Sequence, residues 1–217
     1  MASPYHILPV ESSDLATLAE FVYESKLNLT INRLLYKDWP NEVVQRHQYA
    51  LAVEGGFKNP ETESLKVVDA SGEIVGYLAL TRIHPKSTEK PVDEDKWSQQ
   101  QSATDVFNQD VLNAVIQGVA EVAEVTQTMD RYVEVTYIYV KPSYRRQKIG
   151  AQLIQEGFNR AKAAGVPLVV ATEPAAYDLF ANLGFKDTKH VDLDLRKWAS
   201  PHSGFGIFRL AGMIWSH

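Results

Sequence analysis

The best-equipped stretch of this sequence for chemistry is a basic turn. Residues 140–151 read Val-Lys-Pro-Ser-Tyr-Arg-Arg-Gln-Lys-Ile-Gly-Ala. They join a β-branched, aromatic run at 133–140 to a segment in which Leu153, Ile154 and Phe158 recur at helical spacing. A helix that starts at the tip of a strand presents unpaired backbone N–H groups and the positive end of its dipole, which together suit a phosphate or pyrophosphate. Arg145, Arg146 and Lys148 add positive charge at the same place. Other chemistries find little support. The chain has no cysteine, which removes disulfides, cysteine-zinc sites and a thiolate nucleophile. Its six histidines are scattered without metal-ligand spacing, so no metal is expected. Gly55-Gly56 has no dinucleotide fingerprint around it, and no serine sits in a nucleophile elbow.

The elements that must hold this turn belong to an ordinary globular chain. With 217 residues, 45% hydrophobic and 23% charged, it can bury a sizeable core, and one domain over 1–217 is expected. The net charge of -5 argues against a nucleic-acid partner spread over the surface while leaving room for a local basic site. The first residues lack a basic stretch followed by an apolar run, so no signal peptide is expected. No segment approaches the run of about 18 apolar residues that a membrane span needs. The cytoplasm is the expected compartment, with the nucleus as the alternative.

Along the chain a short strand at 5–10 precedes Ser13-Asp14, an N-cap candidate for a helix with Leu15, Leu18, Phe21 and Val22 on one face. A second helix is predicted from Asn41. Two strands at 65–69 and 73–83 around a glycine-containing turn predict a hairpin. Residues 85–103 are polar and interrupted by proline, as in an exposed loop. Apolar spacing at 105–125 predicts a helix, followed by the strand at 133–140 and the helix at 150–164, which Gly165 closes. A buried strand at 167–172, a short helix at 175–183 and strands at 190–195 and 205–213 complete the order. The whole is α+β, with a parallel pair made by the β-α-β unit at 133–172.

Two segments together resemble the paired motifs of the GCN5-related N-acetyltransferases. The first is Arg145-Arg-Gln-Lys-Ile-Gly-Ala after Val140-Lys-Pro. The second is Pro174-Ala-Ala-Tyr-Asp-Leu-Phe-Ala-Asn-Leu-Gly-Phe, about thirty residues later. Asp69-Ala-Ser-Gly-Glu-Ile-Val-Gly is similar to that family's central hairpin, and the ending at 190–198 resembles its filamentous-fungal branch. The resemblance implies a mixed, mostly antiparallel sheet splayed between its fourth and fifth strands and flanked by helices, with acetyl-CoA as cofactor.

It also implies roles. Backbone N–H groups from Arg145, Arg146, Gln147, Lys148, Ile149, Gly150 and Ala151 would hold the pyrophosphate, and Ile138, Tyr139 and Val140 would pair with pantetheine as a strand would. Phe180 would lie at the thioester end. Lys148 stands where the family has a glycine, so the turn is expected to take a helical conformation there. Glu134 lies eleven residues before Arg145, as the glutamate base does in the histone-acetyltransferase branch, and Asp130 and Glu121 are weaker alternatives. Phe180 occupies the position where many relatives carry an acidic tyrosine, and Tyr177 is the candidate substitute. The expected activity is N-acetylation of a small primary amine by direct transfer in a ternary complex. A protein lysine or N-terminal amine is the second acceptor class, and a non-catalytic CoA-binding protein is the rival of another kind. The insertion at 85–130 can close over the acceptor side or form a dimer face, so either a monomer or a homodimer is compatible.

Overall fold

The computed structural model describes residues 4–84 and 106–216. The first strand, β1 (His6–Pro9), leads through a 3-10 turn into helix α1 (Leu15–Leu27). Asp14 immediately precedes that helix as expected, but its carboxylate does not cap it. It accepts the Glu11 N–H at 2.8 Å and pairs at 2.5 Å with Lys66, both partners being almost fully buried. A one-turn helix, α2 (Asn32–Leu35), which periodicity is too short to signal, precedes α3 (Glu42–Lys58), whose start at Asn41 matches expectation.

The predicted hairpin is β2 (Thr62–Val68) and β3 (Ile74–Ile83), turning at Gly72 with φ 84°. The predicted loop at 85–103 lies outside the described residues. Of the helix read at 105–125, Gln109–Val122 is α-helical (α4), and Ala123–Thr128 tightens into a 3-10 segment. Next come β4 (Tyr132–Val140), α5 (Ile149–Ala164), β5 (Leu168–Thr172) and α6 (Pro174–Asn182). The chain ends with β6 (Lys186–Asp194) and β7 (Ile207–Trp215). β6 begins four residues before the expected 190, because its exposed, charged first half is held by backbone pairing to β7 and shows no apolar pattern.

Among the described residues the strands form one sheet in the order β1-β2-β3-β4-β5-β7-β6. Every neighbouring pair is antiparallel except β4 and β5, the expected parallel pair. On one face α5 and α6 cover the largest apolar cluster. Ile149, Leu153, Ile154, Phe158 and Ala161 form the buried stripe of α5 and pack with Leu78, Leu80, Val133, Val135, Leu168 and Val170. At Gly157 a Cβ would stand 3.0 Å from Leu168 Cδ2, so the glycine lets α5 lie close to the sheet. On the other face Phe21 and Val22 of α1 and Val53 of α3 pack on Tyr77, Ala79 and Tyr139. A third cluster joins α2 and α4 to Leu193, Phe208 and Leu210 of the last two strands.

One irregularity in β4 governs which side chains face where. Ala79 pairs with Tyr137 and Leu80 with Val135, so Thr136 has no register partner and forms a bulge. Val133 and Val135 therefore share the α5 face with Ile138 and Val140, and Tyr137 and Tyr139 share the α1 face with Glu134. A strict two-residue alternation along the whole strand would have put Glu134 and Tyr137 on opposite faces.

Candidate active site

β4 and β5 pair only at Val133 with Leu168 and Glu134 with Val169. Beyond that point β4 continues beside β3 as far as Val140, and β5 continues beside β7 as far as Thr172, with no register between them. The sheet is thus split along residues 135–140, as expected. The split exposes the β5-facing edge of Ile138, Tyr139 and Val140. Their side chains are committed elsewhere: Ile138 and Val140 pack under α5, while Tyr139 stacks on Phe21 with centroids 4.7 Å apart and donates its hydroxyl to Glu24.

At one end of the split lies the basic turn. Pro142–Tyr144 form a 3-10 turn, Arg145 is extended, and α5 begins at Ile149. Gln152 N–H makes the first helical bond, to Lys148 O at 3.0 Å. Among the described residues the N–H groups of Ile149, Gly150 and Ala151 therefore have no backbone acceptor, and they face the mouth of the turn at the positive end of a sixteen-residue helix. Lys148 does not take the helical conformation expected of it. Its φ is 64° and ψ 8°, and Arg146 has φ 65°. The turn keeps the left-handed path a glycine would give it, at a cost of about 1–2 kcal/mol per residue, because both flanks are fixed. Tyr144 donates to Asp69 Oδ2 at 2.8 Å and Glu73 Oε2 at 3.1 Å on the hairpin turn, and Lys141 pairs with Glu73 at 2.5 Å. Arg145 Nε donates to Val140 O at 3.1 Å, and Gln147 accepts from Tyr5. The Ser71 and Tyr144 hydroxyls hold the Asp69 carboxyl down at about 2, so this anchor is ionised across the ordinary pH range. The head groups of Arg146 and Lys148 have no hydrogen-bond or ion-pair partner among the described residues.

At the other end lies Glu134. It lines a cavity of about 50 Å³ together with Thr126, Met129, Tyr132, Val169 and Ala171, roofed by the 3-10 segment after α4. Gly212 makes the roof possible: a Cβ there would stand 2.9 Å from Val122 Cγ1 and 3.1 Å from Val122 O. No hydrogen bond satisfies the Glu134 carboxylate among the described residues, and burial pushes its pKa above the usual 4.5. Neither alternative base shares this cavity. Asp130 is exposed, and Glu121 accepts from Gln117 on its own helix at 2.9 Å. Beside Glu134 the bulged Thr136 is 2.7 Å from Thr81 Oγ1, which is 3.0 Å from Thr62 Oγ1.

Tyr177 and Phe180 of α6 sit differently. Phe180 is fully buried and meets Phe185 edge-on at 5.2 Å, a core residue beneath the split. Tyr177 donates to Asp187 Oδ2 at 2.7 Å, which raises its pKa, and it lines a separate cavity of about 280 Å³ with Thr172, Asp187, His190 and Arg209. Glu134 and Tyr177 line different cavities. A group absent from the sequence-derived candidates stands where β5 ends. Glu173 is ion-paired with Lys26 of α1 and lines the same cavity as Tyr177. No sequence pattern marks it, since Lys26 and Glu173 come from distant segments.

Solved structures share this architecture. Arylalkylamine N-acetyltransferase 2 from the mosquito Aedes aegypti superimposes with a TM-score of 0.64 at 13% identity, covering 98% of this chain and 99% of that one. Another protein of that mosquito, assigned as arylalkylamine N-acetyltransferase 7, gives 0.68 at 15% identity over 97% and 86%. A Salmonella typhimurium protein described as an acetyltransferase, solved with its cofactor acetyl-CoA, gives 0.56 at 15% over 99% and 94%. At such identities the likeness is one of fold. No curated protein matches the sequence. The model of the acetyltransferase (GNAT) family matches residues 29–185, most of the chain, and with the split sheet and the helix that opens at its mouth this establishes that the protein belongs to the GNAT family and has its fold.

Proposed function

We propose that the protein is an acetyl-CoA-dependent N-acetyltransferase that acetylates a small primary amine by direct attack in a ternary complex. The observation that carries this is the split itself, which has unpaired helix N–H groups at one end and a half-buried, unpartnered carboxylate among the described residues at the other. The residues present fit the cofactor. The N–H groups of Ile149, Gly150 and Ala151, with the turn from Arg145 through Lys148, suit its pyrophosphate. The open edge of Ile138, Tyr139 and Val140 suits the pantetheine amides, whereas Phe180, buried in the core, offers no surface to the cofactor. Bound acetyl-CoA supplies an activated thioester carbonyl.

The chain's own residues then have three tasks. An alkyl ammonium has a pKa of about 10, so a base must take its proton before nitrogen can attack. Glu134 is that base: burial raises its proton affinity, and its cavity adjoins the last paired residues of β4 and β5. A backbone N–H on the open β4 edge that ends at Val140 would stabilise charge on the carbonyl oxygen as the C–N bond forms, and the C–S bond would then break with the electron pair leaving on sulfur. A thiol of pKa about 8.5 departs adequately as thiolate, so no acid is required where Phe180 stands. Tyr177, the candidate acid, has its proton committed to Asp187.

The test is thiol release from acetyl-CoA over a panel of primary amines, with Glu134→Gln beside the native chain. The substitution should lower kcat by about 100-fold or more and remove the acidic limb of the pH profile, while acetyl-CoA binding by calorimetry stays unchanged. Native rates in Glu134→Gln would exclude Glu134 as the base. Acetyl-CoA binding without thiol release for any amine would favour the CoA-binding reading.

A further inference from the structure

Helix α1 reaches both sides of the split. On the β4 side Phe21 stacks on Tyr139 with centroids 4.7 Å apart, Lys141 Nζ lies 5.5 Å from the Phe21 ring, and Glu24 accepts a hydrogen bond from the Tyr139 hydroxyl. Two residues further along the helix, Lys26 pairs with Glu173, the residue between β5 and α6. The two strands share register only at Val133 with Leu168 and Glu134 with Val169. Carried past the one bulged residue of β4, that register sets Tyr139 level with Glu173. The last turn of α1 therefore lies across the open end of the split, with a polar link to each side.

The two links differ in kind. Packing backs the β4 link, since Phe21 and Tyr139 are both buried in one apolar cluster. The β5 link is an ion pair on the rim, with side-chain exposures of 25% and 31%. Both of its ends are firmly mounted. The carbonyl of Lys26 accepts from Asn32 Nδ2 at 2.9 Å, and Asn32 is itself buried, which fixes the exit of α1. Glu173 precedes the first turn of α6, where the helix dipole favours a carboxylate, and its carbonyl accepts the Ala176 N–H at 3.1 Å. A shift of Glu173 would carry the end of β5 and the start of α6 with it, and beyond Val169 no register with β4 resists that shift.

We infer that Lys26 and Glu173 are positioning residues that strap the split to a fixed width, so that the pantetheine arm meets two edges already set apart. This rests on the acetyl-CoA-dependent function proposed above, and it concerns the grip on one part of the cofactor. The N–H groups of Ile149, Gly150 and Ala151 belong to α5 and do not depend on the strap. An arm entering a split of variable width must also order its walls, and that cost is subtracted from affinity. Loss of the pair should thus weaken what enters the split and spare what binds only at its mouth.

Calorimetry with acetyl-CoA and with ADP separates the two, because ADP carries the pyrophosphate without the arm. In the full chain Lys26→Met should weaken acetyl-CoA by about five-fold, the scale of a partly shielded ion pair, and leave ADP affinity unchanged. Glu173→Gln should do the same. The double substitution should weaken acetyl-CoA no further than either alone, as expected of two ends of one link. Tm should stay near the native value, since an ion pair on the rim contributes little to global stability. If Lys26→Met fails to fold, the ratio of acetyl-CoA to ADP affinity in Glu173→Gln decides the matter. Native acetyl-CoA affinity in the single variants, equal losses for both ligands, or additive losses in the double variant overturn the inference, while thiol release by the native chain leaves the enzymatic function standing. A native chain that binds no acetyl-CoA overturns the cofactor reading and the strap with it.

Discussion

Glu134 carries two consequences that can be separated. As the proposed base it would act on the acceptor, and as a half-buried carboxylate it burdens the fold, because no described group satisfies its charge. The sign follows from its raised pKa. The folded chain binds this proton more tightly than the unfolded one, so the favourable contribution is complete below the ordinary value of 4.5 and is lost as pH rises through the higher folded value. Glu134→Gln should therefore match native stability in acid and exceed it near neutrality. Melting curves from pH 3.5 to 8 measure the gap, and a gap that stays constant across that range would contradict the burial account. Lys148 gives a second lesson at this scale. A β-carbon at positive φ is expensive but not forbidden, and the hydrogen bonds of Tyr144 and Arg145 hold the turn in place on either side. Departure from the family's glycine therefore leaves the left-handed path of the phosphate turn intact.

At the scale of elements, the 3-10 segment Ala123–Thr128 is the piece that partly covers a strand carboxylate. It can lie against the sheet because β7 has no side chain at Gly212. Gly212→Ala would press a methyl group against Thr188 Oγ1 at 2.8 Å and against Val122, the last residue of α4, including its backbone oxygen at 3.1 Å, so that the end of α4 and the segment after it must shift. Overpacking of this kind costs about 1–3 kcal/mol, so Tm should fall. The Glu134 carboxyl should also move back toward its ordinary pKa as water enters, which the acidic limb of the rate profile would show. An unchanged Tm together with an unchanged profile would mean that the roof does not rest on Gly212. The sequence supplied a helix at this place but neither its tightening nor its contact. Apolar periodicity runs smoothly through Val119 and Val122 and carries no mark of where α-helical geometry stops.

For the whole molecule, the net charge of -5 and the free cationic head groups of Arg146 and Lys148 act in opposite directions on an anionic cofactor. Attraction is local, repulsion is diffuse, and salt screens both within a Debye length of about 10 Å at 0.1 M. The local term dominates at contact, so acetyl-CoA affinity should fall with salt, by about three- to ten-fold between 0.05 and 0.5 M. Joint replacement of Arg146 and Lys148 by glutamine should flatten that slope. A salt-independent affinity in the native chain would show that neutral backbone N–H groups carry the binding alone.

The order of strands and helices, the parallel β-α-β unit and the basic turn before α5 could all be read from the sequence. Each is encoded by neighbours: alternation or helical spacing of apolar residues, a glycine or proline at a boundary, a basic run beside a helix start. Pairing of the turn with the segment ending at Gly184-Phe185 was enough to indicate the family. What lies across the chain was decided by tertiary structure. The bulge at Thr136 sets which side chains share a face with Glu134, and it exists only in the register between β3 and β4. Lys26 and Glu173 meet because α1 and the end of β5 converge beside the split. Local sequence records the conformational preference of each segment, whereas the environment of a carboxylate depends on what the fold brings next to it.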